Sequence, residues 1–435
     1  MKTLGIIFPL LFQAMVVAQE IPTDLSQKNK PQTIKVLLTQ ELSSLLLEVK
    51  GRYQVVDPTT GFEISSELMN KRQPLVATQN GIQWGELFPG IYHVRFVPQN
   101  AKTSILINGI QYRGCIEVYQ IKDIPNALQK LEFQQSRRPK FEPGAADIEA
   151  DPVKHRVDAD GLKVRDAGAA ENPFLKPVRY KLQIINEVDV ESYLKSILTH
   201  LFPEKMEETV LEAVAVVART NAYYLASKHV QRDWHIEAKE SGYEGYALTL
   251  QNLKVDQAVD KTRQVILTYK NAPFATTWTK DSAGKTAPFS SIFRKNTPSP
   301  QGVNIPINAA KREMRRWSLT LPLVKLAELA QLPKISEIYA FRDKASEKVY
   351  ALRFKDGENH KDLDFFALQK QFGSDQIRSN DFTITLKGEQ AIFTGFGEGH
   401  GVGLCLYSAL QMAKEGNSAK KILRTFFPET EFHVE

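Results

Sequence analysis

The chain has little cysteine, few long apolar runs and no block of one charge. Its 435 residues include only Cys115 and Cys405. Two thiols make at most one disulfide, so a disulfide framework and a cysteine-based zinc site are both excluded. After the first twenty residues, no stretch is apolar enough to span a bilayer. The formal net charge of +6 is scattered along the chain. That suits a place beside an anionic polymer, but it does not argue for nucleic acid. Histidines such as His229, His235 and His433 show no metal-ligand spacing, so neither metal nor cofactor is expected. No internal repeat is found.

The first residues read as a targeting segment. Lys2 supplies a positive start, Leu4 to Val17 is apolar apart from Pro9 and Gln13, and Val16-Val17-Ala18 offers a cleavage site. Residues 1–18 are therefore expected to be a signal peptide cleaved after Ala18. The body of the protein is then exported, to the periplasm or cell envelope. An uncleaved N-terminal anchor is the alternative.

Residues 19–32 are polar and expected to be disordered. Residues 33–122 alternate apolar and polar side chains between turn dipeptides such as Pro89-Gly90 and Asn108-Gly109, which predicts a β-rich domain. Residues 123–178 carry mixed charge and few large apolar side chains, so they read as an exposed flexible insertion. From 179 to 435, strands and helices mix. The pattern predicts a strand at 180–188, a short helix at 192–198, and a long helix at 207–229 with an apolar face. A hairpin is expected across Lys270-Asn271, and a C-terminal helix over 404–416. The expected fold class is α+β.

The densest chemistry lies in Gly395-Phe-Gly-Glu-Gly-His-Gly-Val-Gly-Leu-Cys-Leu-Tyr407. Alternating glycines allow sharp bends and close approach of other groups. Glu398, His400, Cys405 and Tyr407 all fall on or beside this loop, as binding and catalytic side chains often do.

Gly399 to Gly416, then Ile422-Leu423 and Phe426-Phe-Pro-Glu-Thr430, resembles the C-terminal motif of the SpoIID/LytB family. Asn186 to Lys195 and Ala213 to Thr220 resemble two earlier motifs. Tyr112-Arg-Gly114, Ser282 to Thr286 and Ile377 to Phe382 fall in the family's order. The resemblance covers 179–435 well and 33–122 loosely. It implies a bacterial envelope protein with a SpoIID-like domain whose glycine-rich loop sits at a cleft. Family members bind peptidoglycan glycan strands stripped of stem peptides. They cleave them as lytic transglycosylases, often beside an amidase. One carboxyl group acts first as acid and then as base while the sugar's own 6-hydroxyl closes a 1,6-anhydro ring.

In this chain the family's catalytic glutamate position is Leu201, which has no proton to give. Phe202, Glu212, Val214, Thr279, Cys405 and Leu406 replace other family residues, while Arg219, His400 and Tyr407 match. Three readings follow. The protein binds glycan, or an envelope partner such as an amidase or the division machinery, without turnover. Or the acid has moved, with Glu398 acting beside His400 on one face of the loop, and Glu204 or His200 as further candidates. Or Cys405 and His400 form a thiolate–imidazole pair. Substrate contacts are expected from Arg219, Phe202, Ser282, Lys285, Tyr407 and Cys405, with Trp278 in support.

Overall fold

A computed structural model describes residues 32–66, 71–100, 103–123, 179–202, 206–245, 252–305 and 309–435. The expected signal peptide, nearly all of the polar segment and insertion, and Glu204 lie outside these residues. The fold is α+β, strand-rich in its N-terminal part.

Two antiparallel layers form the N-terminal body. Strand Ser44–Lys50 turns Leu45, Leu47 and Val49 inward, and strand His93–Pro98 turns Val94 and Phe96 inward. This is the period-2 pattern of a half-buried strand. Between the layers Trp84 meets Phe96 edge-on at 5.0 Å and Tyr53 at 5.6 Å. The indole N–H donates to the Leu47 carbonyl at 3.2 Å, so the largest side chain there leaves no polar atom unpaired.

The chain does not divide between 122 and 179 as the composition suggests. Strand Arg179–Asp189 lies between Thr33–Leu42 and Cys115–Asp123 and pairs antiparallel with both. Strand Ile236–Glu237 then joins the free side of Thr33–Leu42 in parallel. One continuous core runs from Ile34 through the central helices to Phe427. A second, separate core lies within 317–393, under strands Arg316–Pro322, Phe382–Lys387 and Gln390–Phe396 and strands Glu337–Arg342, Val349–Asp356 and Asn359–Asp364.

Helix Val190–Leu201 starts where the Asp189 side chain accepts the Ser192 N–H at 3.0 Å. It ends at Phe202, whose N–H reaches the Leu198 carbonyl. Helix Glu208–Lys228 was expected to be apolar on one face. It is buried on nearly all sides between Val210 and Thr220, because small alanines let neighbours close around it. Helix Leu253–Lys261, not foreseen, packs against it.

The Lys270-Asn271 turn exists, with both residues at positive φ, but it closes on one bridge between Tyr269 and Ala272. Strand Val265–Thr268 pairs instead with Glu431–Val434, and Trp278–Thr279 runs parallel to Leu404–Cys405. These long-range partners leave no local trace in the sequence.

Candidate functional site

The glycine loop is laid along the segment 277–283. Asp281 and Glu398 exchange two backbone hydrogen bonds, at 2.8 and 2.9 Å. The Tyr407 N–H donates to the Lys280 carbonyl at 3.0 Å. Such close approach requires glycine. At Gly403, with φ +75°, a Cβ would run into the Thr277 carbonyl oxygen. At Gly401, with φ +64°, it would run into the side chain of Lys348.

Beside this loop opens a cleft of about 740 Å³. One wall comes from the end of helix Val190–Leu201 and the approach to the long helix: Leu201, Phe202 and Met206. Leu406, Tyr407 and Leu410 continue it. The other wall is ionic, with Lys280, Asp281, Arg315, Arg378 and Glu398. Phe202 is buried against Trp278, ring centres 5.9 Å apart, while Leu201 at the helix end stays 47% exposed. The Arg315 guanidinium lies on the Tyr407 ring at 4.2 Å, and its Nε is 2.7 Å from Asp281 Oδ2. Stacking on the ring face and ion pairing with the carboxylate seat Arg315 against this wall, while its guanidinium nitrogens make no hydrogen bond among the described residues.

Glu398 reaches into this cleft, with Oε1 2.7 Å from Lys280 Nζ and Oε2 3.2 Å from Arg378. Burial alone would raise its carboxyl, but hydrogen bonds from Lys280 and Arg378 outweigh that and hold it below the usual carboxylate range. A carboxylate kept ionised in this way is a poor proton donor at neutral pH.

His400 does not share the face of Glu398. The positive-φ glycines break strand alternation, and the His400 ring turns toward Phe293, centres 5.2 Å apart. Its Nδ1 accepts the Val402 N–H at 3.2 Å. Burial, with Lys348 nearby, pushes the imidazole down to about 4.

Other expected site residues sit away from the cleft lining. Arg219 is wholly buried. It bonds Glu191 through two nitrogens and also reaches the carbonyls of Val259 and Val265. It fixes the core rather than contacting the cleft. Cys405 is buried, its sulfur accepting from the Ser282 N–H at 3.3 Å and the Ser408 hydroxyl at 3.4 Å. No hydrogen bond joins it to His400 among the described residues, and Cys115 and Cys405 are both free thiols. Ser282 is buried behind the loop, and its carbonyl accepts from Lys348 Nζ at 3.0 Å. Lys285 forms an exposed ion pair with Glu347 at 3.0 Å. His200 is held by the Ser196 carbonyl and Glu244, at 2.9 and 3.0 Å.

Lys280, Asp281, Arg315 and Arg378 were missed. Lys280 and Asp281 directly precede the Ser282 motif, and Arg378 lies inside Ile377–Phe382. Their place beside motifs was the available signal. Met314 and Arg315 come from a cationic run, 311–316, with no distinguishing pattern. Among the described residues, no three His, Cys, Asp or Glu side chains group to hold a metal ion.

The family model for the stage II sporulation protein SpoIID matches residues 178–269, the strand and helices that carry Leu201 and Phe202 to the cleft. Stage II sporulation protein D of Bacillus subtilis is 23% identical over 331 residues, 70% of this chain and 90% of its own length. Over these residues the chain is similar to the SpoIID family. An uncharacterized protein of Brachyspira hyodysenteriae is 25% identical over 91% of both chains. An uncharacterized protein of Chlamydia pneumoniae is 26% identical over 235 residues, and the match spans 65% of that relative's length. The SpoIID model stops before the glycine loop, so in this chain the loop and the ionic wall of the cleft are known from geometry.

Proposed function

We propose that this chain is an exported cell-envelope protein that holds peptidoglycan glycan strands in its cleft without cleaving them. One observation carries the reading. The two carboxylates among the cleft's described lining residues, Asp281 and Glu398, are each paired with cations, and the end of helix Val190–Leu201 presents leucine. The cleft thus keeps an aromatic ring and three cations, which suit sugar faces and muramyl carboxylates. Among the described residues it offers no poised general acid. The SpoIID resemblance supplies the substrate class.

The test is retention of the purified protein on denuded glycan, followed by mass spectrometry for 1,6-anhydro ends. Retention without new ends is expected. New ends at a rate above background would refute the non-cleaving reading. A second reading is that the chain docks an amidase or the division machinery. Met314 and Leu201, 85% and 47% exposed at the cleft, favour a partner protein. Absence of any glycan retention would select it.

A further inference from the structure

Glu398 engages two cations with one carboxylate. Each oxygen takes one partner, Lys280 on Oε1 and Arg378 on Oε2. This is how a single ligand carboxylate would be held at the same place. Lys280 is 71% exposed and Arg378 43%, so both can be reached from the cleft. Ion pairs this open to water are individually weak and exchange partners at little cost. Arg315 stands apart from this pair, stacked on the Tyr407 ring with its Nε 2.7 Å from Asp281 Oδ2.

We infer that Lys280 and Arg378 form a carboxylate-binding subsite for an acidic sugar, and that Glu398 occupies it as a built-in competitor. The inference rests on the glycan-binding reading above and gives it a subsite. An incoming muramyl-type carboxylate displaces Glu398 and takes its two partners. Glu398 is then neither an acid catalyst nor a substrate contact. It sets a threshold that neutral sugars do not need to cross and acidic ones must.

The experiment compares wild type, Glu398→Gln and Lys280→Ala/Arg378→Ala on two probes. One is denuded glycan with its muramyl carboxylates intact; the other is the same glycan with those carboxylates reduced to alcohols. Glu398→Gln is expected to bind the intact strands about two- to fivefold tighter than wild type, the scale of one partly screened ion pair. Its affinity for reduced strands should be unchanged. The double variant should bind both probes alike. Equal or weaker binding of intact strands by Glu398→Gln overturns the competitor role. So does equal tightening on both probes. Failure of wild type to bind either probe overturns the glycan reading itself. Thermal melts of each variant separate binding effects from loss of fold.

Discussion

Arg219 and Glu191 meet through two parallel hydrogen bonds in the core, Nε to Oε1 at 2.9 Å and a terminal nitrogen to Oε2 at 2.7 Å. Glu191 also accepts the Gln264 N–H, so the pair ties three segments together. Removing one member leaves the other charged and unpaired. Arg219→Met should therefore cost about 3–5 kcal/mol, and Arg219→Met/Glu191→Leu much less. Denaturant midpoints of the single and double variants measure this. Glycan affinity of the folded fraction should not change, because the pair stands off the cleft. A single variant as stable as wild type would refute the structural role.

Two histidines give the fold an acid limit. His235 Nδ1 accepts the Lys35 N–H at 3.1 Å, as His400 Nδ1 accepts that of Val402. A protonated ring could not accept either bond, and burial pushes both imidazoles down to about 4. Between roughly pH 6.5 and 4 the unfolded chain holds more protons at these sites than the folded one. Their contribution is thus complete above the unfolded value and is lost as pH falls toward the folded one. It amounts to at most about 3 kcal/mol per ring, reduced by partial exposure to solvent. Urea midpoints should drop across this window, and His400→Gln should flatten the slope. An unchanged slope would exclude His400 from the effect.

Gly403 in the loop and Gly416 after the helix that follows it predict two unequal costs. Gly403→Ala forces a side chain into the Thr277 carbonyl at φ +75° and should cost more than about 2 kcal/mol. Gly416→Ala meets open space at φ +83°, so only backbone strain of about 1 kcal/mol applies. Thermal melts of the two variants should rank them in that order. Similar losses at both positions would mean the close packing along 277–283 contributes little.

At the cleft, Tyr407→Ala removes both a ring face and the seat of Arg315. Glycan affinity should fall about tenfold or more, the scale of one aromatic contact plus its cation. Leu201→Glu should leave stability within about 0.5 kcal/mol, since the site is exposed. On its own it should leave 1,6-anhydro ends at background, because catalytic groups act as a unit and other polar positions of the family are also changed. Abundant anhydro ends from this variant would show that the missing carboxyl was the whole deficit.

Much of the fold was legible where order is local. Strand Arg179–Asp189 falls within one residue of the expected 180–188 at each end, and Asp189 caps a helix close to the expected 192–198. Long-range pairing was not. Nothing near Val265 signals Glu431–Val434 as its partner, and nothing in residues 123–178 says that the strands on either side are neighbours. For the site, the motifs singled out Leu201, Phe202, Glu398 and Tyr407, which line the cleft, but not Lys280, Asp281, Arg315 or Arg378. Periodicity then misled, because alternation assumes extended backbone and positive-φ glycines separate Glu398 from His400. Arg219 looked like a ligand contact because a charged residue in an apolar run can serve either function or the core. Only its burial beside Glu191 decides.

Gly401 and Lys348 share one volume. The missing Cβ of the glycine is the space in which the lysine stem lies, and the ammonium beyond it holds the Ser282 carbonyl. A lineage that replaced the glycine would have to shorten position 348 in the same step. It would then lose the support under the cleft segment. The glycine at 401 and the lysine at 348, just before strand Val349–Asp356, thus form one packing unit, and neither can be enlarged without displacing the other.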